Sequence, residues 1–249
     1  MIAPFLRAVG GPFWMLTRTV GATARRGLSF AELVRSLHRI ANRSAALVLS
    51  GMTFFGVVMV VIAHAQARRF TGNLSVVGPA YFELLVREFG PLVSALLAAS
   101  RAGAHDASEL ASMTVNEQVE ALEMSAGDPL ADLVAPRVAA GLIGVPLLCI
   151  IGTGAALASA AFTAQFVFGA DGAAFLDARF LTAGDLASAT AKAFLCGLYI
   201  PLAASWRGLS TRGGASHVGR ATTEGVVASV LGCLVIDLLM AIAFRLVHA

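Results

Sequence analysis

The sequence predicts an all-α integral membrane protein, with an N-terminal interfacial helix, five transmembrane helices and a short cytoplasmic helix between the second and third spans. Two observations carry that prediction. The composition is 57% hydrophobic and only 13% charged, far below the roughly quarter-charged average of soluble domains. The acidic charge is also concentrated: residues 87–137 hold eight of the fifteen acidic residues, between apolar runs long enough to cross a bilayer. A membrane protein keeps a polar insert of this kind where something in the water grips it.

The elements follow in chain order. Residues 1–43 read as a cytoplasmic segment, too long and polar-rich for the n-region of a cleavable signal peptide. Within it, Phe30, Leu33, Val34, Leu37 and Ile40 recur at helical spacing, with Arg35, Arg39 and Arg43 on the other side. Ser29 and Glu32 have the spacing of a capping box at its start. Such a helix lies in the membrane interface, apolar face down; the alternative is a soluble helix packed on the cytoplasmic loops. Residues 44–249 read as one five-span domain. The first span, 44–67, has 24 residues without a formal charge, enough for a hydrocarbon core of about 30 Å. The second, 76–100, carries Glu83, Arg87 and Glu88. The third, 138–170, is uncharged, with Pro146 and several glycines as a possible break. The fourth, 181–206, contains Lys192, and the fifth, 225–244, contains Asp237.

Orientation follows from the arginines near the span ends. With the N-terminus inside, the cytoplasmic side holds seven arginines up to Arg43, then Arg101, Arg137, Arg207, Arg212 and Arg220. The other side holds only Arg68, Arg69, Arg179 and Arg245. The expected topology is N-terminus in and C-terminus out, which puts the acidic insert in the cytoplasm.

Inside that insert, Thr114 and Glu117 have capping-box spacing, and Gly127 followed by Asp128-Pro129 provides a stop. A helix over about 114–124 is expected. Val115, Val119 and Leu122 share one face, and Glu117, Glu120 and Glu123 form an acidic stripe beside it. A short acidic amphipathic helix between two spans is what an ABC-transporter permease presents to its ATPase. On spacing alone, a solvated surface helix that binds nothing explains the pattern equally well.

The wording of the chain adds a resemblance. Arg87-Glu88-Phe89-Gly90-Pro91, the run Glu117-Gln118-Val119-Glu120-Ala121-Leu122-Glu123, Asp128-Pro129, Pro136-Arg137, and later Gly208 to Ala215 with Val218 to Thr223, resemble the MlaE/YrbE family of lipid ABC-transporter permeases. Phe54-Phe55-Gly56 fits as well, and the resemblance covers about residues 30–245. It implies a homodimeric permease in the bacterial inner membrane, working with two copies of an ABC ATPase and a periplasmic MCE-domain protein to move phospholipids or related lipids. ATP and Mg would belong to the ATPase, with no cofactor on this chain. The helix at 114–124 would be the coupling helix, with Glu117, Gln118, Glu120, Ala121, Leu122 and Glu123 as the ATPase-contacting set. Three places depart from the family pattern: Gly127 falls one position late, His105 and Asp106 stand in a stretch that is usually small and apolar, and the outer loop 166–181 carries Asp171 and Asp177.

A charge near mid-bilayer costs roughly 2.5–3.5 kcal/mol on insertion scales, so each needs a partner or a purpose. Counting depth along the spans places Arg87, Glu88, Lys192 and Asp237 at a similar level in the outer half, with a formal sum of zero. They are expected to pair within the bundle. Arg87, Glu88 and Lys192 would in addition border a lipid cavity and meet headgroup phosphate, with Phe54, Phe55 and Val58 of the first span and Leu92 of the second among its apolar walls.

Other classes find less support. The five histidines are scattered, and no H-E-x-x-H, G-x-S-x-G or P-loop pattern occurs, so the chain reads as a permease and not an enzyme. Cys149, Cys196 and Cys233 sit singly in apolar runs without metal spacing. Nothing interleaves aromatic and basic residues as nucleic-acid binding requires. A proton-coupled secondary transporter using the buried charges, or an intramembrane lipid-modifying enzyme, remain the alternatives.

Overall fold

The computed structural model describes residues 2–70 and 74–248, without the side chains of residues 2–9, 68–76, 174, 247 and 248. The side chains of Arg7, Arg68 and Arg69, which enter the orientation count, lie outside the described ones. Every regular element among the described residues is helical.

The chain opens with α1 (Ile2–Arg26), which the sequence analysis did not anticipate. Its Met15 and Thr19 are buried, whereas Phe13 and Val20 are 71% and 60% exposed. Trp14 meets Trp206 edge-on at 5.9 Å, and the Arg18 guanidinium lies 4.6 Å above the Trp14 ring. The helix is therefore amphipathic, with one face packed on the protein and an apolar face left uncovered. Gly27, with φ of +81°, ends it.

The segment expected to be a separate interfacial helix instead runs into the first span. α2 (Phe30–Leu37), a π-helical turn (His38–Asn42) and α3 (Arg43–Phe70) follow one another without a break. No Gly or Pro stands between Leu37 and Ser50 to interrupt them. Ser29 is the N-cap residue as expected, but its side chain caps nothing; Glu32 pairs with Arg35 at 2.6 Å. Leu33, Leu37 and Ile40 pack on the core, while Phe30 and Val34 stay exposed, so the predicted apolar face is divided between protein and surroundings.

The second span belongs to a longer continuous helix: α4 (Leu74–Leu84), a π turn (Leu85–Phe89), α5 (Gly90–Ala98), a π turn (Ala99–Gly103) and α6 (Ala104–Val115). A two-residue turn leads to α7 (Gln118–Met124). After a π turn (Leu130–Val134) comes α8 (Ala135–Phe168), which passes through Pro146 without breaking. A 3₁₀ turn (Gly172–Leu176) in the next loop inserts Phe175, fully buried, edge-on against Tyr81 at 5.3 Å. α9 (Ala183–Leu209) and α10 (Ser216–His248) complete the bundle. Among the described residues, four helical stretches are long and apolar enough to cross a membrane: 30–67, 130–168, 183–209 and 216–246. The stretch bearing Glu83, Arg87 and Glu88 does not meet that standard.

α8 is the central element, packed on α3, α5 and α9. Its inward stripe is small: Gly152, Ala156, Ala160 and Ala164, all buried, recur every four residues, the spacing that lets helices approach in a bilayer. The approach is close where α8 meets α9. A Cβ on Gly141 would lie 2.3 Å from the Gly197 carbonyl oxygen, and one on Gly197 2.5 Å from that of Gly141. With no hydrophobic drive between helices in lipid, such van der Waals contact is what holds the bundle together.

Candidate functional site

The charges expected to lie inside the membrane are brought together by the second π turn. Leu85–Phe89 holds both Arg87 and Glu88, and single-turn π segments of this kind concentrate at functional sites. Lys192 of α9, 1% exposed, is bonded directly to the Glu88 carboxylate and lies 3.0 Å from Asp237 of α10. Asp237 Oδ1 makes that charge contact without hydrogen-bond geometry. Arg87 reaches Glu88 at 3.4 Å, Glu83 at 2.9 Å and Asp185 at 3.5 Å, and its guanidinium sits 5.8 Å from the Phe244 ring centre. One network thus ties the second, fourth and fifth predicted spans.

Two members escaped the site prediction. Glu83 stands in the predicted second span without an expected site role, and Asp185 lies near the predicted start of the fourth. Asp185 is the third residue of α9, where it accepts hydrogen bonds from the Thr182 backbone N–H at 2.8 Å and hydroxyl at 2.7 Å, forming a complete capping box. The Thr182-x-x-Asp185 spacing was the available signal. With these two carboxylates the network carries two cations against four acids, so the expected sum of zero becomes a formal −2. Its cations also differ in access: Lys192 is sealed, while the Arg87 side chain keeps 29% of its surface exposed.

The apolar candidates divide. Phe54 (72% exposed) and Val58 (55%) lie with Ile62 on the uncovered face of α3. Phe55 turns inward to pack against Phe89 at 5.5 Å, and Leu92 is half-buried. Phe54 and Phe55 are about 100° apart on a helix, so they do not line one surface.

The predicted cytoplasmic helix is present but begins later. Thr114 is not its cap: the residue lies in the last turn of α6, and its hydroxyl donates back to the Leu110 carbonyl at 2.8 Å. Glu117 occupies the left-handed region with φ of 59° and precedes α7 without a side-chain cap. A capping box at Thr114 is thereby excluded, because its would-be partner stands in the turn. The stop is also shifted. Ala126, not Gly127, takes the left-handed conformation, with φ of 62°. The amides of Ala126 and Gly127 donate to the carbonyls of Glu123 (3.0 Å) and Leu122 (2.9 Å), the paired bonds of a Schellman cap.

No residue of α7 is buried. Gln118, Glu120, Ala121 and Glu123 are exposed and Leu122 half-buried. Met124, absent from the predicted set, is 90% exposed, an apolar tip at the end of an acidic helix. α1 braces the far side of this region: Arg26 donates to the Ala126 carbonyl at 2.7 Å and lies 3.9 Å from Asp132.

At the base of α6 sits a second ionic cluster. Arg39 grips both carboxylate oxygens of Glu109 at 2.8 Å, Arg137 reaches Glu109 at 2.6 Å and Asp106 at 3.5 Å, and Arg137 and Asp106 are buried. Burial pushes the Asp106 carboxyl up to about 6, against the pull of Arg137. Burial lowers the neighbouring His105 imidazole. For Glu109 burial opposes ionisation, but the hydrogen bond and charge of Arg137 outweigh it and hold the carboxyl below its usual range.

A bundle of long apolar helices that holds a charge network between them defines a multi-pass membrane protein. Residues 33–243 match the Permease MlaE family, and the chain belongs to that family. It is 31% identical to the probable ABC transporter permease protein of Rickettsia felis over 95% of this chain and 92% of the relative. The intermembrane phospholipid transport system permease protein MlaE of Haemophilus influenzae is 34% identical over 60% of this chain and 57% of its own length. The chloroplastic protein TRIGALACTOSYLDIACYLGLYCEROL 1 of Arabidopsis thaliana is 30% identical over 87% of this chain and 62% of its own length. Family members of this kind are the membrane permeases of ABC transporters and are not themselves catalytic.

Proposed function

We propose that this chain is the permease subunit of an ABC transporter that moves phospholipid between the inner membrane and the cell envelope. In this reading it crosses the membrane five times with the N-terminus in the cytoplasm, pairs with a second copy, and is capped by a periplasmic MCE-domain protein. A separate ATPase, which carries the ATP and Mg, docks on Gln118–Met124. The observation that supports this best is α7 itself: a helix flanked by long apolar helices, with no buried residue, whose acids and exposed Met124 have no partner among the described residues.

Lipid would contact the uncovered face of α3 through Phe54 and Val58, with Arg87, the accessible cation of the network, near its phosphate. Lys192 serves the site from behind by neutralising Glu88 and Asp237. The docking role is tested by combining Glu120→Lys with Met124→Glu, which reverses a charge and removes the apolar tip without touching a buried group. In mild detergent, ATPase should co-purify with the parent chain and be lost from the variant at equal membrane abundance. ATPase retained at parental levels would remove α7 as its docking element.

A further inference from the structure

A cavity of about 190 Å³ lies between the start of α3 and the junction of α5 with α6, lined by Arg39, Arg43, Arg101, His105 and Asp106 among others. Three arginines around so small a space repel one another unless an anion joins them. Arg39 is occupied, since both its terminal contacts go to Glu109 and Ser36. Asp106 faces Arg137 at 3.5 Å, a charge contact that leaves its buried Oδ2 without a hydrogen-bond partner. Arg43 and Arg101 are exposed, and no described residue forms an ion pair or hydrogen bond with either. His105 Nε2 is buried and unpartnered in the same wall.

The depth of the site identifies the anion. Arg43 immediately precedes the uncharged run 44–67, and Arg101 immediately follows the apolar run 89–100. Two helices therefore leave the hydrocarbon at this level, each with its first free guanidinium pointing to one cavity. We infer that Arg43 and Arg101 bind the phosphodiester of an anionic phospholipid in the cytoplasmic leaflet. Two guanidinium forks match the phosphate oxygens, and His105 supplies a ring nitrogen beside them. This is a site remote from the Arg87 network, at the opposite end of the second predicted span. Occupied, it would bind the start of the first span to the base of α6, and so to the helix that leads into α7. The cytoplasmic assignment rests on the proposed orientation.

The test uses the full chain, purified and delipidated in mild detergent, with dioctanoyl phosphatidylglycerol as probe and dioctanoyl phosphatidylcholine and inorganic phosphate as comparisons, followed by native mass spectrometry. The parent should bind phosphatidylglycerol in preference to phosphatidylcholine. Arg43→Gln with Arg101→Gln should weaken that binding at least ten-fold. Arg18→Gln with Arg25→Gln, a matched charge loss on α1, should leave it unchanged. Equal binding by the Arg43/Arg101 variant and the parent would overturn the site. Inorganic phosphate binding as tightly as the lipid would overturn the lipid assignment in favour of a free-anion site. Detergent binding is blind to sidedness, so orientation is read separately: Ser125→Cys should react with an impermeant maleimide in inverted vesicles and not in intact cells. The opposite labelling would move the site to the other leaflet without altering the binding result.

Discussion

Lys192 is 1% exposed and touches two carboxylates from two other helices, so truncating it does more than remove a cation. Lys192→Ala leaves Glu88 and Asp237 in the bundle without their counter-charge, and stranding one side of a buried pair costs about 3–5 kcal/mol. The expected outcome is a clearly lower melting temperature in detergent, partly restored by adding Asp237→Asn. A single variant that melts like the parent would mean the pairing contributes little. Asp106 gives a second prediction, with its sign set by linkage. Its carboxyl is raised from 3.8 to about 6 in the folded chain, so the stability it contributes is fully present below its unfolded value and is lost as pH rises through 6. At about 1.4 kcal/mol per unit, that loss is on the order of 3 kcal/mol. Thermal unfolding of Asp106→Asn and of the parent between pH 4 and 8 should therefore diverge, with the variant gaining relative stability as pH climbs. Parallel curves would show that Asp106 ionises normally. At this scale, the charges lying inside apolar runs were legible in the sequence because a lone Lys192 or Asp237 stands out there. Asp185 was not, because at the polar start of a helix it looks like an ordinary cap, and only the fold carries Arg87 to it.

The same T-x-x-acid spacing succeeds at one helix start and fails at another. Thr182 and Asp185 build a complete capping box, whereas Thr114 and Glu117 do not, because α6 continues through Thr114 and the turn falls two residues later. Spacing specifies which groups can meet; it does not say which of two overlapping helices owns them. The same limit hid α1, whose Gly10-Gly11-Pro12 and Gly21 lower helix propensity along a segment that tertiary packing nonetheless makes helical. It also separated α2 from α3 on paper, since amphipathic and wholly apolar patterns can follow one another along one unbroken helix. The cap of α7 offers a test at this level. Ala126 holds a left-handed conformation that glycine adopts without steric cost, and replacing a residue at such a C′ position by Gly gains about 1 kcal/mol. Ala126→Gly should slow amide exchange at Ala126 and Gly127, the two cap donors, by roughly five-fold, as 1 kcal/mol implies. Unchanged exchange would indicate that the Arg26 bond to the Ala126 carbonyl, and not the local conformation, limits opening.

For the whole molecule the number of crossings decides where everything else lies. Four stretches of the described residues satisfy length and apolarity unaided; the predicted second span, 76–100, is interrupted by Glu83, Arg87 and Glu88, which all find partners inside the bundle. Apolarity counts residues singly, while the energy of insertion depends on pairs. Glu83 and Arg87 bond each other at 2.9 Å and Glu88 pairs with Lys192, so each charge of this helix has a partner that would lower its cost of entering lipid. Parity distinguishes the two counts, since five crossings put the ends on opposite sides and four put them on the same side. A fluorescent protein fused ahead of α1 and, in a separate chain, behind α10 should fluoresce only at the first position. Alkaline phosphatase at the same two positions should be active only at the second. Fluorescence at both ends would remove the second span, and with it the cytoplasmic placement of α7. The charge network makes a further demand on the same assay. If partners carry the second span into the membrane, Lys192→Ala should erode C-terminal phosphatase activity, whereas Arg220→Ala, an exposed residue that pairs with Glu224 outside the network, should leave it intact.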